Sequence, residues 1–245
     1  MSTAQSIHPQ QPQSQQQARR ILTTLRWVPE PFQGVVRDVR VRWALEEAGL
    51  SYEVTLIGPE NQRTDEYLAQ QPFGQVPVYQ EGELTLFESG AILHHIAARS
   101  PALMPSDEAG RSRTLMWLIA AQNSVEPAVQ ALGELDFFAS SDPSAAARRP
   151  ALVERVKQRL GAVDRELATR DYLLEQFSVA DILMATVMRM LRHTDLVAGF
   201  PSLHAWYERC DARPASRKSM ADHMAVFAAN APSTQAAAQT EDELA

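Results

Sequence analysis

An acidic residue and a hydroxyl residue are adjacent at Glu88–Ser89, where the sequence predicts the start of a helix. Serine is a favoured N-cap, and the unpaired N–H groups of a helix start attract a carboxylate. The pair therefore predicts a site for a carboxylate-bearing ligand. The alternative is that Ser89 only caps the helix and that Glu88 only complements the helix dipole.

The bond between Val76 and Pro77, shortly before this pair, is a second candidate. A residue–proline bond tolerates the cis form far better than other peptide bonds do. It follows the turn-forming residues Gln71–Gly74 and precedes a short apolar run. The alternative is an ordinary trans proline that opens an edge strand.

Both candidates need a scaffold, and the first hundred residues supply one with short strands and helices. A helical stripe that includes Val36 and Trp43 ends at Gly49, and a further helix is expected over Ser89–Ala98. A polar segment up to Gln71 is expected to hold one short helix. Strands are expected at Ile21–Leu25, Tyr52–Ile57, Val76–Tyr79 and Leu84–Phe87. The order βαβαββα is typical of an α+β, thioredoxin-like domain.

The second half of the chain has only helical patterns and follows a proline-containing linker, Ser100–Ser106. Pro127 lies inside the first long helical segment and is expected to kink or split it. Helices are predicted near 108–139, 151–169, 179–192, 202–211 and 215–227.

Phe177–Ile182 has the pattern of a helix start. Ser178 and Asp181 fit a capping box, and Phe177 with Ile182 fits a hydrophobic staple. The residues that follow are apolar on most faces, so the helix is expected to lie in the core.

Composition limits the remaining possibilities. The charge of −7, with no basic run, argues against nucleic acid and anionic membranes as partners. The chain contains a single cysteine, Cys210, which excludes an intrachain disulfide. With neither a signal-like start nor a long apolar run, the protein is expected to be cytoplasmic. We expect a disordered Gln-rich lead (1–19), a thioredoxin-like domain (20–101), a helical domain (107–227) and a disordered tail (228–245).

From about Ile21 to Phe227 the chain resembles the glutathione S-transferases, on the strength of Gln71–Tyr79, Glu88–Ser89 and Phe177–Ile182. The resemblance implies the glutathione S-transferase fold with a cis Pro77, a homodimer, and glutathione as co-substrate without a metal. It implies that the N–H and C=O of Val76, which the cis Pro77 leaves accessible, pair with the cysteinyl part of glutathione. Ser89 would bind the γ-glutamyl carboxylate and Glu88 the ammonium. Many relatives have a Lys at the position of Gln75 that meets the glycine carboxylate. Gln75 can donate one hydrogen bond there but brings no charge, so its contact with that carboxylate is weaker here.

The chain departs from the family before its first predicted helix. Relatives place a Tyr, Ser or Cys there to bind the glutathione sulfur, whereas no hydroxyl or thiol lies between Leu25 and Leu50. The usual position falls near Val35 or Val36. If a thiolate is stabilised, backbone N–H groups at the helix start must do it, aided by Arg37 or the Gln33 amide. Otherwise Arg37 is an ordinary exposed residue.

The family's second-substrate pocket points to Trp117, Asn123 and His193 as candidates. Core packing is the alternative for the first two, and C-terminal helix capping is the alternative for His193.

Three functions remain open on this sequence. The first is an enzyme that transfers the glutathione thiolate to a small-molecule electrophile. The second is a non-catalytic binding or scaffold protein that has kept the fold. The third is a glutathione-dependent isomerase or reductase, but a reductase of the usual kind needs a Cys at the first helix, and Cys210 lies far downstream.

Overall fold

The computed structural model describes residues 18–139 and 142–232. Most of the predicted lead and most of the predicted tail lie outside these residues, so both remain expectations. In the part of the chain that is described, no helix is long and apolar enough to cross a membrane.

The first half of the chain forms a four-stranded mixed sheet in the order β2-β1-β3-β4. Strand β1 pairs parallel with β2 and antiparallel with β3, so that Leu22 lies between Val54 and Tyr79. Strand β4 pairs antiparallel with β3 at the edge. The strands are β1 (Arg20–Leu25), β2 (Glu53–Ile57), β3 (Val78–Glu81) and β4 (Leu84–Leu86). The predicted thioredoxin-like fold is confirmed.

Four α-helices accompany the sheet: α1 (Asp38–Glu47), α2 (Pro59–Gln62), α3 (Asp65–Leu68) and α4 (Ser89–Ala97). Helix α1 is buried along Asp38–Leu45, because it lies between the sheet domain and the helices that follow. Gly49 then ends it with φ +64°, a conformation that favours glycine.

The second half is helical, as predicted. Its elements are α5 (Glu108–Ile119), a π-helical turn (Ala120–Val125), α6 (Glu126–Phe138), α7 (Ala145–Leu167), α8 (Val179–Arg189), α9 (Pro201–Asp211) and α10 (Pro214–Ala229). The predicted split near Pro127 is confirmed, because Pro127 lies in the first turn of α6, where a missing N–H costs nothing.

Several boundaries differ from the predictions. Strand β3 begins at Val78, since Pro77 has no N–H for a ladder, and the polar segment forms two short helices instead of one. Helix α7 begins at Ala145 and includes Pro150, because an alanine-rich run favours helix before the proline. Helix α8 ends at Arg189 instead of residue 192.

Helix α8 is the centre of the helical core and is buried at every position from Val179 to Arg189. The predicted capping box is confirmed: the Asp181 carboxylate accepts from Ser178 N–H (2.9 Å), and the Ser178 hydroxyl accepts from the start of the helix. Asp181 also accepts from Leu173 N–H and Trp206 Nε1, both at 2.9 Å. One carboxylate therefore joins a loop, the start of α8 and α9.

Candidate functional site

The peptide bond between Val76 and Pro77 is cis. Two side chains fix the loop before it: the Tyr67 hydroxyl donates to Gln75 O (2.7 Å), and Gln62 Nε2 donates to Gly74 O (2.7 Å). Burial raises the pKa of Tyr67 to about 12, so its phenol stays a donor at neutral pH. Among the described residues, neither the N–H nor the C=O of Val76 has a hydrogen-bond partner. This loop therefore presents an unpaired backbone edge to a ligand.

Ser89 is the first residue of α4 rather than its N-cap, which corrects the sequence prediction. Glu88 precedes it in a left-handed conformation, with φ +67°. The Ser89 hydroxyl does not cap the helix. Its oxygen accepts from Arg40 Nη1 at 3.2 Å, so the hydroxyl proton remains available for a ligand.

The arginine that contacts Ser89 belongs to a buried ion pair. Arg40 is 1% exposed, and its guanidinium donates to both Glu126 oxygens, at 3.1 and 3.2 Å. Arg37 Nε donates to the same carboxylate at 3.0 Å. Burial disfavours the charge of Glu126, but Arg40 and Arg37 together hold the pKa of Glu126 below its ordinary value. This cluster joins α1, α4 and α6 through charged groups.

The loop before α1 turns at Gly34, whose φ is +83°. Among the residues described, the N–H groups of Val36 and Arg37 have no hydrogen-bond partner. They lie at the positive end of the α1 dipole, where negative charge is stabilised. Gln33 does not join them: its amide donates to Val28 O (3.0 Å), and its side chain is absent from the cavity wall.

A cavity of about 390 Å³ opens between the two halves of the chain. Its wall joins Gln75 and Val76 to the loop before α1 and to helix α6. No Tyr, Ser, Thr or Cys is among the described residues that line it, which are Pro31, Phe32, Val35, Val36, Arg37, Gln62, Gln75, Val76, Val129, Gln130, Gly133, Glu134, Phe137, Phe138, Met190, Arg192 and His193.

Aromatic rings form the far wall of this cavity. Phe32 stacks on Phe138 with ring centroids 5.1 Å apart and meets Phe137 edge-on at 5.7 Å. His193 packs on Phe137 at 4.6 Å, and its Nε2 lies 3.0 Å from the Asp136 carboxylate. The far wall therefore suits an apolar, planar group.

The other two candidates for the second-substrate pocket do not line this cavity. Trp117 lines a separate cavity beside α7, and Asn123 is exposed on the π-helical turn. Sequence reasoning also missed Arg40, Glu126 and the aromatic wall. Arg40 gave no distinctive signal, because Asp38, Arg40 and Arg42 alternate with apolar residues in α1, and all three are buried.

Two further observations concern the thiol of Cys210 and the binding of a metal ion. Burial raises the pKa of the Cys210 thiol above its ordinary value, and this residue is not part of the cavity. Among residues 18–139 and 142–232, no group of three or more His, Cys, Asp or Glu is arranged to hold a metal ion.

Comparison with known proteins supports the family resemblance in both halves of the chain. The family model described as the glutathione S-transferase N-terminal domain matches residues 32–98, and that of the C-terminal domain matches residues 129–214. Glutathione S-transferase 4 of Zea mays is 35% identical over 220 residues, which span 85% of this chain and 95% of that protein.

Two other relatives extend the comparison to bacteria. The disulfide-bond oxidoreductase YfcG of Escherichia coli is 30% identical over 191 residues, spanning 72% of this chain and 86% of that protein. A glutathione transferase of Burkholderia graminis, solved with two glutathione molecules bound per subunit, is 30% identical with a TM-score of 0.72. The match covers 83% of this chain and 88% of that one. The chain belongs to the glutathione S-transferase family.

Proposed function

We propose that this protein binds glutathione and transfers its thiolate to an apolar electrophile. One observation carries the proposal: the unpaired Val76 edge, the start of α1 and the aromatic wall all border the same cavity. A thiol held by Val76 therefore lies between backbone donors on one side and an apolar pocket on the other.

Each part of glutathione has a matching group. The cysteinyl backbone pairs with the N–H and C=O of Val76, which Gln75 and Pro77 flank. The γ-glutamyl carboxylate accepts from the Ser89 hydroxyl and the first N–H groups of α4, while Glu88 pairs with the ammonium. The neutral Gln75 amide offers the glycine carboxylate one hydrogen bond without charge.

The thiolate is stabilised by the backbone rather than by a side-chain hydroxyl. The N–H groups of Val36 and Arg37 lack partners among the described residues and point from the α1 start, where a cysteine thiol pKa is commonly lowered. The Arg37 side chain borders the cavity and adds positive charge. The thiolate attacks the electrophile, the new carbon–sulfur bond forms, and the leaving group departs with its electron pair.

Ser89→Ala is expected to weaken glutathione binding by about 1–2 kcal/mol, because the carboxylate loses its hydroxyl donor. Calorimetric titration of both proteins with reduced glutathione measures the difference. Thr85→Ala on the exposed edge strand β4 is the control and should bind like wild type. Equal affinity of Ser89→Ala and wild type would remove Ser89 from the site.

Arg37→Ala is expected to lower kcat about tenfold with little loss of stability, since the residue is partly exposed and Arg40 still pairs with Glu126. Steady-state kinetics with an aryl halide and reduced glutathione, together with thermal melting, provide the test. Full turnover in this variant would exclude Arg37 from the mechanism.

Disulfide exchange on glutathione is the second candidate, favoured by the named activity of YfcG and by the two glutathione molecules bound in the Burkholderia graminis relative. Bound glutathione thiolate would attack a substrate disulfide, giving a mixed disulfide and one released thiolate. A second glutathione thiolate would then attack the mixed disulfide, giving glutathione disulfide and the second thiolate. This route needs no protein cysteine, so the position of Cys210 does not oppose it.

A single experiment separates these functions from a scaffold role. Reduced glutathione is titrated calorimetrically while the ultraviolet absorbance of the thiolate is followed across pH. Binding with a lowered thiol pKa supports an enzyme, and parallel assays with an aryl halide and with a small disulfide then distinguish transfer from exchange. Binding without a pKa shift favours a carrier, and no binding favours the scaffold.

The proposed working unit is a homodimer. Phe73, next to the glutathione loop, is 66% exposed and packs only edge-on against Phe87, while Met116 and Ile119 of α5 are also exposed. A second copy of the chain would bury such apolar side chains.

Phe73→Ser is expected to shift the mass measured by light scattering towards the monomer, whereas Phe138→Ser, inside the cavity, should not. An unchanged mass for Phe73→Ser would remove this residue from the interface.

A further inference from the structure

A buried histidine of the last helix contacts the loop that carries the proposed thiolate donors. His223 of α10 is 1% exposed, and its Nε2 accepts a hydrogen bond from Gly34 N–H at 3.3 Å. Its other nitrogen, Nδ1, lies 3.1 Å from the Asp38 carboxylate. One imidazole therefore joins the turn before α1 to the first residue of that helix.

The partners of the ring define its tautomer. Because Nε2 accepts from a backbone N–H, the proton is on Nδ1, which donates to Asp38. The same Asp38 oxygen also accepts from Arg42 Nε at 2.7 Å. Although burial favours the neutral acid, the hydrogen bonds from His223 and Arg42 and the charge of Arg42 hold the pKa of Asp38 below its ordinary value. The ring is therefore anchored on one side and offers a fixed acceptor on the other.

Gly34 is enclosed by side chains of the helical domain. Its φ of +83° favours glycine, and a Cβ there would lie 2.9 Å from Arg192 Nη1 and 3.3 Å from Met220 Sδ. Arg192 Nη2 also donates to Pro31 O at 2.8 Å. The direction of the Gly34 peptide therefore depends on residues far along the chain, and this peptide precedes the Val36 and Arg37 N–H groups.

We infer that His223 is a positioning residue, which accepts from Gly34 N–H to aim the Val36 and Arg37 N–H groups at the glutathione sulfur. The inference rests on the proposed function, because the backbone N–H groups that His223 aims take the place of the side-chain hydroxyl that relatives use. The helical domain thereby controls the reactivity of a thiol held by the sheet domain. No contact between His223 and glutathione is required.

Two near-isosteric variants separate this role from a merely structural one. The amide of His223→Gln reaches the place of Nε2 and can still accept from Gly34. The amide of His223→Asn reaches the place of Nδ1 and can still donate to Asp38. A structural role that only stabilises Asp38 predicts that Asn is the better replacement, whereas positioning of the loop predicts Gln.

The measurements are amide exchange at Gly34 by NMR, the affinity for reduced glutathione, and the pKa of the bound thiol from its absorbance. In His223→Asn we expect Gly34 to exchange about tenfold faster, as fits the loss of one hydrogen bond. The pKa of the bound thiol should rise by about one unit, and the affinity should stay within about twofold. His223→Gln should match wild type in all three measurements.

The reverse ranking of the two variants would overturn the inference, and so would an unchanged thiol pKa in both. If a variant melts below the assay temperature, Lys218→Ala on the same helix shows whether loosening α10 alone has this effect, because Lys218 pairs with Glu46 and Asp222 and, among the described residues, bonds to neither Gly34 nor His223. If wild type binds no glutathione, the proposed function fails. The exchange rate at Gly34 then still decides whether His223 holds the loop.

Discussion

Glu126→Ala is expected to lower the free energy of unfolding by about 3–5 kcal/mol, because removal of one partner leaves a buried charge uncompensated. The group left without its partner is Arg40, which is 1% exposed and donates to both carboxylate oxygens of Glu126. Glutathione affinity should fall as well, since Arg40 also donates to Ser89. Urea unfolding and calorimetric titration measure the two effects.

The control is Glu134→Ala on the same helix, whose carboxylate contacts only the exposed Gln130 amide among the residues described. Exposed contacts of this kind contribute little, so this variant should stay within about 0.5 kcal/mol of wild type. The double variant Arg40→Met/Glu126→Leu should recover much of the stability, because no buried charge remains. Equal unfolding free energies for Glu126→Ala and Glu134→Ala would refute the role of the pair.

The stability gap between wild type and Glu126→Ala is expected to depend on pH. The pKa of Glu126 in the folded protein lies below the ordinary value of 4.5, so the folded state binds its proton less readily than the unfolded state does. The gap is therefore complete above about pH 4.5 and narrows as the pH falls through the lower, folded pKa. A gap that widens on acidification would contradict the ion pair.

Local patterns predicted the parts of the site that depend on neighbouring residues. Ser178–Asp181 could be read directly, because a capping box is determined within a few positions. The cis form of Val76–Pro77 followed from the family resemblance, since the dipeptide alone is also compatible with a trans proline. The start of α4 at Ser89 was predicted, but the N-cap role of Ser89 was not correct, since its hydroxyl oxygen accepts from Arg40 instead of from its own helix. That partner comes from another element, and no local pattern contains it.

The longer-range parts of the site could not be predicted from the sequence. Gln33 and Trp117 have side chains suited to their expected roles, yet backbone geometry directs one to Val28 and packing places the other beside α7. Conversely, the helical stripe of α1 gave no sign that Arg40 would find Glu126 across the domain boundary. Buried charged residues are therefore the feature of the site that hydrophobic periodicity predicts least well.

If the proposed function holds, the absence of a side-chain hydroxyl near Val35 means that backbone N–H groups must stabilise the bound thiolate. Backbone donors are effective only when their direction is fixed, because they cannot rotate to follow a ligand. In this protein His223, Arg192 and Glu126 of the helical domain contact Gly34, Pro31 and Arg37 of the loop that carries the proposed donors, and we infer that these contacts fix the direction of those donors. A variant that destabilises the contact between the two domains should consequently also make the bound thiol less reactive.

Asp181→Ala is expected to lower the free energy of unfolding by about 3–5 kcal/mol, the upper end of single-residue effects. Removal of the carboxylate leaves four buried donors unpaired: Leu173 N–H, Ser178 N–H, the Ser178 hydroxyl and Trp206 Nε1. Each unpaired buried donor costs about 1–3 kcal/mol, and the costs do not add fully when the groups relax together. Because α8 is the centre of the helical core, the whole molecule should unfold earlier in urea.

Asp164→Ala is the matched control, because its carboxylate also accepts from two backbone N–H groups, those of Ser202 and Leu203 at the start of α9. Asp164 is only half-buried, so water can replace it, and a loss of about 1 kcal/mol is expected. Comparison of the two variants separates the stability that a helix cap contributes from the stability that is lost when buried donors are left unpaired. If both variants lost the same stability, burial of the donors around Asp181 would not be what makes it important, and the capping box alone would account for its effect.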